Sequence, residues 1–336
     1  MSAAPGQAPG QAPELTDALS RLDGFDWGSW IAGLVATHGS LAGVAEKLAE
    51  SRGYAERVES VERALRRLRG KGHGEGGVWG RRALKAFGLP RDVESRVRWM
   101  GQYHTRFTDL PVSLCEEQLL WWDKPPIASA RERVWLQLGL ASVSLRRRDH
   151  QAADQRIRQA GLVKTAPDAA RAELALVRSF RVSRRDPAAA AALLDEAEAL
   201  LDGALTPEDR ACLHARWVDQ RAYPLNRPRS GPADHPAAEA WYLRIPEGGP
   251  PFVIGRRENG LGWSRLAMGQ RDAAVHHARR SVAAAGDGGH LRLRVMALKL
   301  LSTALGGDEG GLARDRASAI AARLEDEELR LRLRPR

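Results

Sequence analysis

Cysteine is nearly absent from this chain: Cys115 and Cys212 are the only two in 336 residues. So wide a separation excludes a disulfide scaffold and suits a reducing cytoplasm, which is the expected location. Long apolar runs are missing too. Nowhere do eighteen consecutive apolar residues occur, and MSAAPGQAPGQAPELTD at the start has neither a basic stretch nor an apolar one. No membrane span and no export signal are expected. Continuous alternation of Val, Ile and Thr is scarce, which argues against sheet. Catalytic signatures are also lacking: there is no HExxH, no Walker lysine loop and no nucleophile elbow. The stretch GKGHGEGG has no Lys-Ser/Thr pair after it, GGDEG at 306–310 lacks an αβ setting, and the adjacent His276 and His277 point about a hundred degrees apart on a helix. His104 and Asp109 offer one polar pair at most, which does not define an active site. A non-enzyme with no cofactor and no metal is expected.

Basic charge is what the chain has in excess. Its formal net charge is +10, and from Arg57 to Arg106 thirteen Lys or Arg face five acids. Most of the surplus therefore sits in one segment, where it favours an anionic partner.

Ala, Leu, Arg and Glu recur at helical spacing from about residue 15, so the fold class expected is mainly α. Residues 1–19, opening on Ala-Pro-Gly-Gln repeats, read as a disordered leader. Helices are expected at Trp27–Thr37, Leu41–Ser51, Val58–Arg69, Asp92–Arg106 and Leu114–Trp122. The interval 111–128, with Trp121, Trp122, Pro125 and Pro126, reads as a Trp/Pro-rich connector whose tryptophans pack between two domains. Helix pairs with short turns follow over 129–330, with Pro167, Pro187 and Pro207 at or near helix starts. Residues 223–251 hold seven of the eighteen prolines and read as an insertion, either a linker or a flap. The closing LRLRLRPR reads as a frayed tail.

The segment LGWSRLAMGQRDAAVHHARRSV resembles a tetratricopeptide repeat through Leu261-Gly262, the turn at Gly269, Ala274 and Ala278. WLQLGLASVSLRRRDHQAADQRIRQA is similar through Trp135, Leu138-Gly139, Ala153, Ile157 and Ala160. That resemblance implies a TPR-like α-solenoid over 129–330, whose groove takes a protein or peptide partner or mediates self-association. A non-repetitive helical domain obeys the same packing rules.

VESVERALRRLRGKG carries the second resemblance. On a wheel Val58, Val61, Leu65 and Leu68 form one stripe, with Ser60, Arg63 and Arg67 opposite and Arg66 and Arg69 flanking. Upstream, Ser40 is placed to cap a helix whose Leu41, Val44, Ala45 and Leu48 face that stripe. Two short amphipathic helices around a turn at SRGYAER look like a helix-turn-helix, and GKGHGEGGVWGRR looks like the strand-turn-strand wing of a winged-helix module. The resemblance implies a DNA-binding domain over 20–110. Ser60, Arg63 and Arg67 would then meet base edges, while Arg66, Arg69, Lys71, Arg81, Arg82 and Lys85 would meet phosphates. Glu59 and Glu62 on the same helix oppose phosphate.

The expected function is a sequence-specific DNA-binding transcriptional regulator with a helical-repeat sensor or oligomerisation domain. Its layout resembles bacterial regulators that place a helix-turn-helix before helical repeats. Partners would be double-stranded DNA, a protein or peptide in the repeat groove, and a second copy in a homodimer. The alternative is a TPR-like scaffold without DNA binding; RNA binding by the same basic surface is a third reading.

Overall fold

A computed structural model describes residues 25–50, 57–203, 205–228 and 231–334. Among them are seventeen α-helices and two short 3-10 turns, with no strand, so the chain is mainly α. No described helix is long and apolar enough to cross a membrane. The chain divides into two compact units, Met1–Pro90 and Arg91–Arg336. The expected leader at 1–19 and most of the expected turn, residues 51–56, lie outside the described residues.

The first unit contains α1 (Trp27–His38), α2 (Leu41–Glu50), α3 (Val58–Arg69) and α4 (Gly77–Phe87). Helix α1 starts where Asp26 accepts from Ser29 N at 2.6 Å, and α2 where Ser40 Oγ accepts from Gly43 N at 3.0 Å. Each cap satisfies an amide that the first turn leaves without a helical partner. The apolar stripes then meet: Val44, Ala45 and Leu48 of α2 and Val61, Leu65 and Leu68 of α3 are buried, with Trp27, Trp30 and Ile31 of α1. Full burial of each Val or Leu stabilises by roughly 1.5–3 kcal/mol.

The expected wing is not there. Residues 77–87 form α4, and no strand stands on either side of the glycine loop. The loop folds over Trp27 instead: Trp27 N donates to Gly72 O at 2.9 Å, and Trp27 Nε1 donates to Gly74 O at 2.8 Å. A Cβ at Gly76 or Gly80 would lie 2.1 or 2.6 Å from the Trp27 ring. These glycines accommodate an indole rather than turn a hairpin.

The second unit opens with α5 (Arg91–Gly101), a 3-10 turn at Arg106–Asp109, α6 (Val112–Trp122) and a second 3-10 turn at Ile127–Ser129. Helix pairs follow: α7 (Arg133–Arg146) with α8 (His150–Gly161), and α9 (Asp168–Val182) with α10 (Pro187–Leu201). Next come α11 (Pro207–Asn226) with α12 (His235–Tyr242), and α13 (Pro251–Ala267) with α14 (Arg271–Asp287). Helices α15 (Leu291–Leu305) and α16 (Gly307–Arg323) make the last pair before α17 (Glu327–Leu333). Side-chain caps start many of them: Asp149, Asp186, Thr206 and Asp234 each accept from the amide three residues on, and Pro187, Pro207 and Pro236 sit in first turns.

The unit boundary falls at Pro90, before the expected 110, because α5 packs against α7. A Cβ on Gly101 would stand 2.3 Å from Trp135 O. Residues 111–128 are no bare connector either: α6 buries Val112, Cys115, Leu119 and Trp122, while Trp121 stays exposed under the Lys124 ammonium at 4.2 Å. Trp121 is thus not the packing residue expected.

The proline-rich stretch at 223–251 contributes helix among its described residues. Helix α11 runs through Pro224 to Asn226, and α12 buries Ala238 and Tyr242, with Ile245 buried just beyond. Tyr242 OH donates to Asp219 Oδ1 at 3.0 Å, and its ring covers Gly260, where a Cβ would lie 2.1 Å away. Apart from Pro224, its prolines sit at helix starts or between helices, where a missing amide costs little. Of the LRLRLRPR tail, residues 329–333 are helix and not frayed: Asp326 caps α17, Leu329 is buried, and Glu327–Arg330 and Glu328–Arg332 pair along it.

Gly262 gives room to Leu300 Cδ2 and His277 Cβ, which a Cβ would meet at 2.5 and 3.3 Å. Gly139 is approached instead by Leu119 and by Met100 O, from α6 and α5. The same Leu-Gly pair thus serves a helix pair in one place and the entry helices in another. The last elements return to the first: α17 packs on both α7 and α15. Arg146, 2% exposed, pairs at 3.0 Å with Asp326, 0% exposed, and donates through Nη2 to Leu110 O and Leu324 O. Arg292 Nε reaches the same Asp326 at 3.0 Å.

Candidate nucleic-acid interface

Helix α3 is amphipathic by construction. Its stripe of Val61, Leu65 and Leu68 is used up against α1 and α2, which turns the opposite side to solvent. Ser60, Arg63, Arg66, Arg67 and Arg69 are all exposed there, as is Lys71 just beyond the helix end. Three of these arginines lie in the last turn, where the helix dipole favours cations.

Local contacts bias individual side chains. Arg63 Nε donates to Glu59 O at 3.3 Å on its own helix. Arg66 pairs with Glu62 at 2.7 Å, an exposed i,i+4 contact worth about 0.3–0.5 kcal/mol, so a phosphate outcompetes it readily. The glycine loop after α3 is tied down by Trp27, through Gly72 O and Gly74 O. The Asp26 carboxyl is held below its ordinary range chiefly by the Ser29 amide. Its exit from α3 is therefore defined: Lys71 N donates to Leu68 O at 2.9 Å.

Arg81 and Lys85 are exposed on α4. Arg82 is half-buried with its guanidinium 4.9 Å from the Trp79 ring centroid, so a phosphate contact there competes with cation–π stacking. These three residues are carried by a helix and not by the expected wing. His73, at the loop, points Nδ1 to Phe25 O at 3.4 Å. Arg57, exposed at the start of α3, is a further cation on this helix that the wheel did not single out. From Arg57 to Phe87 nine Lys or Arg face three acids. That balance attracts a polyanion.

A second cluster, in the other unit, had no signal in the sequence. Between α5 and α6 the segment 102–111 crosses the first helices of successive pairs. Gln102 Nε2 donates to Asp209 Oδ1 on α11 at 2.6 Å, and His104 Nε2 stands 3.5 Å from the same carboxylate. Tyr103 lies among three guanidiniums: Arg216 of α11 at 4.5 Å, Arg292 of α15 at 5.1 Å and Arg256 of α13 at 5.5 Å from its ring centroid. Burial pushes its phenol up, but those three charges outweigh burial and bring it down to about 8. His104 is driven down to about 3 by burial and then by Arg216 and Arg98. Arg106 Nε donates to Gly288 O at 3.0 Å, and Asp109 Oδ1 accepts from Arg292 N at 2.7 Å. His104 and Asp109 thus face different partners and do not pair with each other. Only the tertiary fold assembles this cluster, from positions 103, 216, 256 and 292 that share no local pattern.

Burial raises both thiols, Cys212 to about 12. No family model, no curated protein and no solved structure matches this chain.

Proposed function

We propose that this chain is a DNA-binding transcriptional regulator in which α2 and α3 act as a helix-turn-helix without a wing. The observation that carries the reading is the division of α3: one stripe is spent on the core, and the side bearing Ser60, Arg63 and Arg67 is left to solvent. On this reading α3 lies in the major groove with those three residues at base edges, arginine being matched to the guanine O6 and N7 pair. Arg66, Arg69, Lys71, Arg81, Arg82 and Lys85 meet phosphates and set affinity without reading sequence. The second unit is a TPR-like array that receives a protein or peptide signal, and the regulator works as a homodimer on two half-sites.

Fluorescence anisotropy on genomic fragments that the full chain retains tests the reading. With about six phosphates neutralised per protomer, log affinity should fall against log salt with a slope of about −5. Changing Arg63 and Arg67 together to Ala should erase preference among fragments while the circular dichroism spectrum stays the same. Absence of any binding at low salt removes the reading.

Glu59 and Glu62 on α3 favour a second reading. A face of mixed sign suits a protein surface that is itself of mixed sign better than a uniform polyanion, which would make the chain a TPR-like scaffold. The flat salt response and the lack of fragment preference expected of a scaffold separate the two.

A further inference from the structure

Acids of the array orient the arginines carried by the first helices of the pairs. Arg216 pairs with Glu173 of α9, Arg256 with Asp219 of α11, and Arg292 with Asp326 at the cap of α17. Each guanidinium is thus oriented by an acid of the array and presents its remaining surface to whatever lies across it. Such a face is preorganised, and binding to it forfeits little side-chain freedom.

What lies across it is the chain's own segment 102–111, held mostly as a ligand is held. Its backbone amides bond locally, Thr105 N to Gln102 O, Thr108 N to Thr105 O and Leu110 N to Phe107 O, while Phe107 O accepts from Cys115 Sγ and Leu110 O from Arg146 and Cys115 Sγ. Side chains make nearly all the other polar links to the array: Gln102 and His104 to Asp209, Tyr103 among the three arginines, Arg106 to Gly288 O, and Asp109 to Arg292 N. Phe107 is buried beneath it and favours the seated state.

The fit leaves polar groups unsatisfied. With the segment in place, His104 Nδ1, Arg256 Nε and Arg292 Nη1 are shut off from solvent and have no hydrogen-bond partner. Burying a donor or acceptor unpaired is unfavourable, so these three atoms weaken the seated state.

We propose that the arginine face of α11, α13 and α15 is a peptide-binding site that the chain holds shut with its own segment 102–111. The segment is displaced by a partner protein carrying a tyrosine followed six residues later by an aspartate. The phenol of such a partner enters the cage of Arg216, Arg256 and Arg292, and its carboxylate takes the Arg292 amide now held by Asp109. Displacement frees the connection between α5 and α6. This deepens the reading of the second unit as the receiving part of the regulator and does not depend on whether α3 binds DNA.

The test uses the full chain and a fluorescein-labelled synthetic peptide of sequence QYHTRFTDLP, a copy of residues 102–111. Anisotropy titrations compare the wild type with the Tyr103→Ala, Asp109→Ala double variant, whose own segment is weakened. The variant is expected to bind the peptide at least tenfold more tightly than the wild type does. A peptide with its tyrosine replaced by alanine should lose at least tenfold on the variant. Equal affinity for both proteins, no binding to a variant that keeps its helical spectrum, or indifference to the peptide's tyrosine overturns the proposal.

Hydrogen exchange on the wild type decides the matter if the double variant does not fold. Amides of Thr105, Thr108 and Leu110 are expected to exchange at least tenfold faster than those of α13 and α15, through an opening insensitive to low urea. Exchange of those three only with global unfolding makes the segment ordinary core and refutes the idea. Peptide binding with no DNA binding leaves this site standing and sinks only the reading of α3; the reverse result does the opposite.

Discussion

At the scale of single residues, the two environments of tyrosine show how placement outweighs type. Burial and the neighbouring Asp219 raise the Tyr242 phenol well above its ordinary value, whereas three guanidiniums outweigh burial and bring Tyr103 down to about 8. Between pH 8 and 10 the folded chain holds Tyr103 as phenolate while the unfolded chain still binds its proton. Stability therefore rises with pH across that window, and this contribution is lost as pH falls through about 8. Absorbance titration should show one of the four tyrosines ionising near 8. Urea unfolding should show the rise from pH 8 to 10 shrinking in Tyr103→Phe; an unchanged rise would mean the guanidiniums do not act on the phenol. Nothing around Tyr103 in the sequence announces this, since Arg216, Arg256 and Arg292 are more than a hundred positions away.

At the scale of elements, helices were readable and their connections were not. The range Val58–Arg69 follows directly from the Val61, Leu65 and Leu68 stripe, and Pro187–Leu201 from its proline and its Ala/Leu run. The glycines around residues 70–80 predict a hairpin, but residues 77–87 are helix because Gly76 and Gly80 let Trp27 approach. The two roles predict opposite outcomes for Gly80→Ala. Alanine raises helix propensity by about 1 kcal/mol, but its Cβ would stand 2.6 Å from the buried Trp27 ring, and overpacking typically costs about 1–3 kcal/mol. The variant should show faster hydrogen exchange across α1 and α4. Slower exchange would indicate that the loop has slack and that propensity wins. Residues 223–251 teach the same lesson, because proline density marks helix starts as well as linkers: Pro236 opens α12 and Pro251 opens α13.

At the scale of the whole molecule, the decisive feature of the second unit is that its end meets its beginning. The Arg146–Asp326–Arg292 triad, with Arg146 and Asp326 buried and Arg292 half-buried, joins α7, α15 and the cap of α17. Desolvating three charges is costly, but once they are buried the removal of one partner leaves guanidiniums uncompensated, at about 3–5 kcal/mol. Asp326→Ala should lower the thermal midpoint by several degrees and expose Leu324 and Leu329 to exchange, as read by calorimetry and hydrogen exchange. A midpoint within a degree of the wild type would show that the closure contributes nothing. An open array would have left the face of the first helices bare; here the segment 102–111 covers it.

Legible in the chain alone are the helical class, the Ser40 cap, the stripes of α2 and α3, prolines at helix starts, and the basic side of α3. All of these depend on spacings of three or four residues, which a helix converts directly into neighbourhood. Long-range packing is what lets glycines 76 and 80 hold an indole, buries Ala238, Tyr242 and Ile245 of the proline-rich stretch, returns α17 to α7, and sets Tyr103 among three arginines. Those outcomes depend on contacts between residues tens to hundreds of positions apart, and the packing of whole helices, not any local period, brings such residues together.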